Sequence, residues 1–367
     1  TNEFHGDGYW QNRNNAFAAN DWFNNQSGLA NPFLNQNQVG ASLGGPILRN
    51  KLFFYVNYEA FRLRQQASAN RTILTADARN GIFTAANGQK FNVLQAAGVS
   101  IAPAIASLLA QVPGPDKINN FRVGDSGNSL LRNTAGDSFL LRSDRTRDNV
   151  TGNFDYFLST KHSLTAAYLW NRDLIDRPDL SNDYSVTPKV RNDDGARLLS
   201  AAWRWNPTPN LTNEVRGGFN RAPTLFASSQ DSGKYLLSGL LFSNPVNTMQ
   251  PNGRYGNTYV LADNASYVRG RHSLQFGYQS QYMRVESYNN TGVLPTYTLG
   301  IGTGNPGLPA AQFPASFTAS DRSAANNLLA DLYGYVTAYS QTFNATSRTS
   351  GFVNGANTLR HESLDNF

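Results

Sequence analysis

Cysteine is absent from the 367 residues, which excludes a disulfide framework and every thiolate metal site. Histidine is scarce: the four present are scattered without ligand spacing, so a zinc site is not expected either. Nowhere do about 18 apolar residues follow one another, which rules out a transmembrane helix. A chain that crosses a bilayer without helices must do so as a closed barrel, the other fold that satisfies its backbone in lipid. Charge is thin too. Charged residues make up 15% of the chain, against about 25% in ordinary soluble proteins. Mean hydropathy is nevertheless −0.46, so the polarity comes from neutral Asn, Gln, Ser and Thr. The formal net charge of +6 arises from 31 basic and 25 acidic residues with no concentrated basic run, and is read as lumen and loop charge rather than a nucleic-acid surface. The chain starts at Thr1 rather than Met and shows no signal peptide, so a fragment of a longer protein is expected.

What is present is alternation. In the stretch from Gly40 to Arg62, two strands meet at a very tight turn, after which Leu52, Phe54, Val56, Tyr58 and Ala60 share one face. Phe53, Tyr55, Asn57, Glu59 and Phe61 share the other. The same design returns in Asp148 to Phe157, His162 to Arg172, Arg197 to Trp205, Leu211 to Asn220, Asn257 to Tyr267 and His272 to Glu286, with a last strand read near Tyr333 to Phe343. Short turns alternate with long loops, as in outer-membrane barrels. Eleven or so residues at about 3.3 Å each, tilted near 45°, project to about 25 Å, the height of a barrel's apolar band. Residues 63–146 are read as one long extracellular loop. Within it Ile101, Ile105, Leu108, Leu109 and Val112 recur at helical spacing behind Pro103, predicting a short amphipathic helix. Aromatic residues at 12% fit a barrel, and fit equally a secreted, β-rich adhesin or glycan-binding protein.

The fold class expected is therefore all-β, an antiparallel transmembrane β-barrel. Phe54, Val56, Phe154, Tyr156, Trp203, Trp205, Leu274 and Phe276 are assigned to the membrane face. Asn57, Glu59, Asn153, Asp155, Glu214, Arg216 and Gln275 are assigned to the lumen. Trp203 and Trp205 stand beside a short turn, where an aromatic girdle belongs. The echo between Lys161-His162-Ser163-Leu164 and Arg271-His272-Ser273-Leu274 reads as two equivalent hairpins, with both histidines interfacial rather than metal ligands. Arg142, Arg145 and Arg147, beside Asp144 and Asp148, suit either a charged mouth for an anionic ligand or, more plainly, solvated charge at a strand end. Gly124-Asp125-Ser126-Gly127 copies a protease tetrapeptide, but that chemistry needs a histidine and then an aspartate upstream, and the only histidine before it is His5, in the first strand, while the surroundings are Gly/Asn loop. Gly302-x-Gly304-x-x-Gly307 lacks a βαβ unit, and Pro306 and Pro309 stand where its helix should begin.

Gly44-Gly45-Pro46-Ile47, followed by Phe53, Phe54, Tyr58, Glu59 and Arg62, resembles the GGPI-turn-FF-x-x-x-YE-x-x-R signature of TonB-dependent outer-membrane receptors of the Oar-like group. Thr1 to Gly6, Arg269 to Gly277, Ser340 to Asn344 and Arg360 to Glu362 carry further likeness. The resemblance implies a 22-stranded barrel around an N-terminal plug that takes up a scarce nutrient with energy from TonB, often behind a carboxypeptidase-regulatory-like domain. It implies that residues 1–367 are a partial barrel of about 10 of 22 strands, with plug and C-terminal strands absent. Outer-membrane lipid, the chain's own plug and the TonB system are the partners implied; no nucleic acid, cofactor, metal or enzymatic activity is expected. A passive porin-type channel is a weaker alternative.

Overall fold

In the computed structural model, which describes residues 2–126 and 130–366, long antiparallel strands follow one another as a meander. They are β1 (His5–Asn14), β2 (Leu34–Leu48), β3 (Leu52–Leu74), β4 (Thr134–Arg142), β5 (Arg145–Phe157), β6 (His162–Asp176), β7 (Val190–Thr208), β8 (Leu211–Ser228), β9 (Asn252–Arg269), β10 (His272–Asn289) and β11 (Thr358–Asn366). Hydrogen-bonded neighbours run β1-β2-β3-β5-β6-β7-β8-β9-β10-β11, and β4 pairs with the far half of β3. Among the described residues the sheet does not close, and β1 and β11 are its edges.

Turn chemistry sorts the two ends of this wall. The β2–β3 turn passes through Asn50 at φ 60°, a left-handed conformation that Asn tolerates better than most residues. The β9–β10 turn uses Gly270 at φ 59° for the same purpose. These turns and those joining β5 to β6 and β7 to β8 all lie at one end. The connections 15–33, 75–133, 177–189, 229–251 and 290–357 lie at the other.

The long connections fold on one another into a lobe, and the water-excluded core sits there. Helix α1 (Pro103–Leu109) starts with proline in its first turn, where no amide donor is lost, and buries Ile105, Leu108 and Leu109. Helix α2 (Ala319–Tyr333) is opened by a reciprocal capping box between Thr318 and Asp321 and closed by Gly334 at φ 79°. Its Leu328, Leu329 and Leu332 join α1, Ile73, Leu74, Val93, Phe242 and Leu299 in one cluster. Phe83, Phe91, Phe313 and Phe317 add ring contacts with centroids 5.1 to 6.0 Å apart. Beside this core, Leu236–Ser238 pairs in parallel with Thr296–Leu299, which pairs antiparallel with Val336–Ser340.

Three sequence expectations are corrected. Residues 63–146 are not one loop, because β3 continues to Leu74 and β4 returns beside it. The last strand read near Tyr333 to Phe343 is not a wall strand: helix α2 runs into Tyr333, and Val336–Ser340 belongs to the lobe. The strand that does continue the wall is Thr358–Asn366, paired with β10. The wall strands also exceed the expected eleven residues, reaching 18 or 19 in β7 to β10.

Candidate functional site

Directly opposed residues in an antiparallel pair point to the same side, so register decides sidedness. The pairs Phe54↔Phe154, Tyr156↔Leu164, Leu164↔Trp203, Trp203↔Val215, Val215↔Asp263 and Asp263↔Tyr278 run across the wall. They put Phe54, Val56, Phe154, Tyr156, Trp203, Trp205, Leu274 and Phe276 on one face, here the aromatic face. Asn57, Glu59, Asn153, Asp155, Glu214, Arg216 and Gln275 all fall on the opposite, polar face. The aromatic face is bare: Phe276 is 63% exposed and Trp203 41%. At its turn end His162 lies stacked on Trp203 and Trp205, 5.8 and 6.3 Å between centroids, and accepts the Trp203 indole N–H at 3.2 Å. Asp263, an acid on this face, is met by the Asn213 amide at 2.6 Å.

On the polar face Glu59 is a hub across four strands. Its carboxylate accepts the Tyr9 hydroxyl at 2.6 Å, the Gln38 amide at 3.0 Å, and Arg147 and Asn149 at 3.2 Å each. Asn171 of β6 in turn donates to Asn149. Tyr9 lies over Gly40, where a Cβ would stand only 2.3 Å from its ring. Glycine there is thus what lets Tyr9 reach Glu59. Nearer the turn end Glu214 holds Arg204 at 2.7 Å and Arg216 at 2.8 Å. A hollow of about 730 Å³ opens beside them, lined also by Thr212, Asn264 and Gln275.

The signature residues act in pairs. Pro46 faces Phe53 and Gly45 faces Phe54 across the first hairpin, with Gly44 opposite Tyr55. Tyr58 and Arg62 flank Ala60, which is opposite Asp148. Both converge on one Asp148 oxygen at 2.6 Å, so the YE-x-x-R spacing bonds β3 to β5 on both faces at once. Arg142 and Arg145 are taken by Asp176 and Asp173, and Arg147 by Glu59. The three arginines are thus neither a free anionic trap nor merely solvated. The partners Tyr9, Gln38, Asn149, Asp173 and Asp176 were not singled out from the sequence; strand register was the signal that would have found them.

In the lobe, burial works against one carboxyl group. Asp331 of α2 is 1% exposed among the leucines; one oxygen accepts the Leu241 N–H at 3.2 Å and the other has no partner. Burial pushes its pKa up to about 7. Asp321 is held below the ordinary carboxylate range, first by its bond from the Thr318 hydroxyl. The protease-like tetrapeptide is a structural knot: the Ser126 hydroxyl donates to the Thr134 carbonyl at 2.6 Å, and Asp125 accepts the Asn133 and Thr134 amides. Gly127 lies outside the described residues. The Gly302 to Gly307 stretch is a turn, with Gly302 bridged to Asn305. No cluster of three potential metal ligands occurs among the described residues.

A wall of long antiparallel strands with one apolar and one polar face is a membrane-spanning design, and the family comparison decides the matter. A model of the outer membrane beta-barrel domain matches residues 1–355. The chain belongs to that family. The outer membrane β-barrel places this protein in the bacterial outer membrane, in contact with its lipid. No curated protein matches the chain. Among solved structures it is similar to the outer membrane transporter YddB from Escherichia coli, with TM-score 0.42, 10% identity, and coverage of 84% of this chain and 34% of that one. The siderophore receptor PirA from Acinetobacter baumannii gives TM-score 0.40 and 8% identity over 87% of this chain and 34% of that one. The barrel chain thus spans about a third of the length of both.

Proposed function

We propose that this outer membrane β-barrel is part of a receptor of the TonB-dependent, Oar-like kind, which takes up an oligosaccharide, peptide or chelated metal without catalysing a reaction. The observation that carries this reading is the sidedness of the wall beneath a folded lobe. The aromatic face meets lipid and the polar face lines the lumen. There the Glu59 hub and the Arg204–Glu214–Arg216 triad offer a polar bed for a plug domain. The short turns lie in the periplasm, and the lobe stands outside, where a ligand is first met. A passive channel has no need of an energy source, and this separates the two readings. Cells bearing the intact protein are given fluorescent oligosaccharides, oligopeptides and ferric chelates, with and without TonB. Accumulation of one class that stops when TonB is removed is the expected result. Accumulation that persists without TonB, or surface binding without entry, overturns it.

A further inference from the structure

At the loop-side rim of the aromatic face one row of cross-strand partners changes from apolar to basic. In order it reads Val150, Trp170, Arg197, Arg221, Asn257 and Arg284. Arg197 and Arg221 are directly opposed and both exposed, and like charges so placed destabilise a strand pair. Other arginines here are neutralised: Arg284 by Glu286 at 2.5 Å, and Arg172, two residues beyond Trp170, by Asp193 at 3.1 Å. No carboxylate pairs with Arg197 or Arg221 among the described residues; Arg221 only rests over the Tyr255 ring at 5.9 Å. Two hollows of about 640 and 360 Å³ meet at Arg197, Arg221 and Tyr255. Phe219, Tyr259 and Glu286, the acid held by Arg284, line the first; Trp170, Leu225 and the Arg172–Asp193 pair line the second.

Position gives this pair its meaning. Arg197 is eight residues from Trp205 along β7, about 26 Å at about 3.3 Å per residue, or about 20 Å of height at a tilt near 40°. The apolar belt of an outer-membrane barrel is about 25 Å tall, so the two guanidinium groups stand at its outer rim, where lipid headgroups begin. A planar guanidinium pair matches phosphate oxygens in geometry as well as charge. We propose that Arg197 and Arg221 bind the phosphate of a phosphorylated glycolipid of the outer leaflet, whose acyl chains lie along Tyr168, Leu199 and Tyr259 below. The inference rests on the reading that the aromatic face meets lipid.

The test uses the protein purified from outer membranes, with lipid A as probe and heat-induced unfolding as readout. Lipid A is expected to raise the midpoint of the wild type, whereas dephosphorylated lipid A and inorganic phosphate leave it unchanged. R197Q/R221Q, which also relieves the charge repulsion and is expected to assemble, should bind lipid A about 10-fold or more weakly. R197K/R221K, which keeps the charge, should retain part of the binding. Undiminished binding by R197Q/R221Q overturns the site, as does stabilisation by inorganic phosphate alone. A fluorophore on L199C reports separately on the face: quenching by brominated acyl chains supports the lipid contact even where the site fails. Absence of quenching overturns the face assignment itself.

Discussion

A carboxyl group given one backbone donor in a nest of leucines stays there at least cost when it is uncharged. Asp331, with its pKa near 7 against an ordinary 3.8, therefore keeps in the folded lobe a proton that the unfolded chain releases. Stability contributed by this group is fully present at about pH 4 and falls as the pH rises to about 7, because the folded state binds more protons throughout that window. Asp331→Asn should flatten this slope, read as pH-dependent amide exchange across 319–333; a slope unchanged in the variant would remove Asp331 as its cause. On the polar face, Tyr9→Phe removes one donor from the partly buried Glu59 carboxylate, at a cost of about 1 kcal/mol. Gly40→Val should cost more by pushing the ring aside, which heat-modifiable gel mobility of the purified protein would register. Glu59 was legible in the sequence by its spacing from Tyr58 and Arg62. Its partners were not, since Tyr9 and Arg147 lie 50 and 88 residues away and only strand pairing brings them in.

Each strand of the wall has to satisfy lipid on one side and something wet on the other, and this double demand is what made β5 to β10 readable by alternation. It failed where neither side of a strand carries a large apolar residue. The outer half of β3 carries Arg64, Gln66, Ser68 and Asn70 on one face and Gln65 with the small Ala67 and Ala69 on the other, because it stands beyond the belt beside β4. Helix α2 escaped for a related reason: Asn326, Asn327 and Asp331 interrupt its apolar positions, while the Thr318–Asp321 cap went unrecognised. Within the belt, Phe54→Arg or Phe154→Arg is expected to cost about 2 to 4 kcal/mol of membrane insertion. Asn57→Arg and Asn153→Arg, on the polar side, should cost far less, and the amount of assembled protein in the outer membrane gives the comparison. In the lobe, Thr318→Ala should loosen the first turn of α2 by about 1 kcal/mol, seen as faster amide exchange there.

For the molecule as a whole, the barrel class followed from what the sequence lacks together with its alternation, whereas the lobe did not. A core assembled from four connections far apart in the chain leaves no local periodicity to read. Trypsin applied to intact cells tests the resulting picture. Cleavage is expected after the exposed Arg348, while Arg79, whose guanidinium is spent on the Leu109, Val112 and Pro113 carbonyls, should be spared. Lys161 and Arg271, exposed on the short turns, should be cut only once the membrane is broken. Equal cleavage at both ends of the wall would contradict its orientation.

The lobe's oily centre also has a mechanical consequence for the strands beneath it. Because Leu74, Phe242 and Leu329 lie in or beside three different long connections yet share one dry interior, the loop ends of those hairpins are tied to one another. A hairpin that pulled away from its neighbours there would have to open that interior to water, so the lobe acts on the wall as a rivet acts on the ribs of a fan.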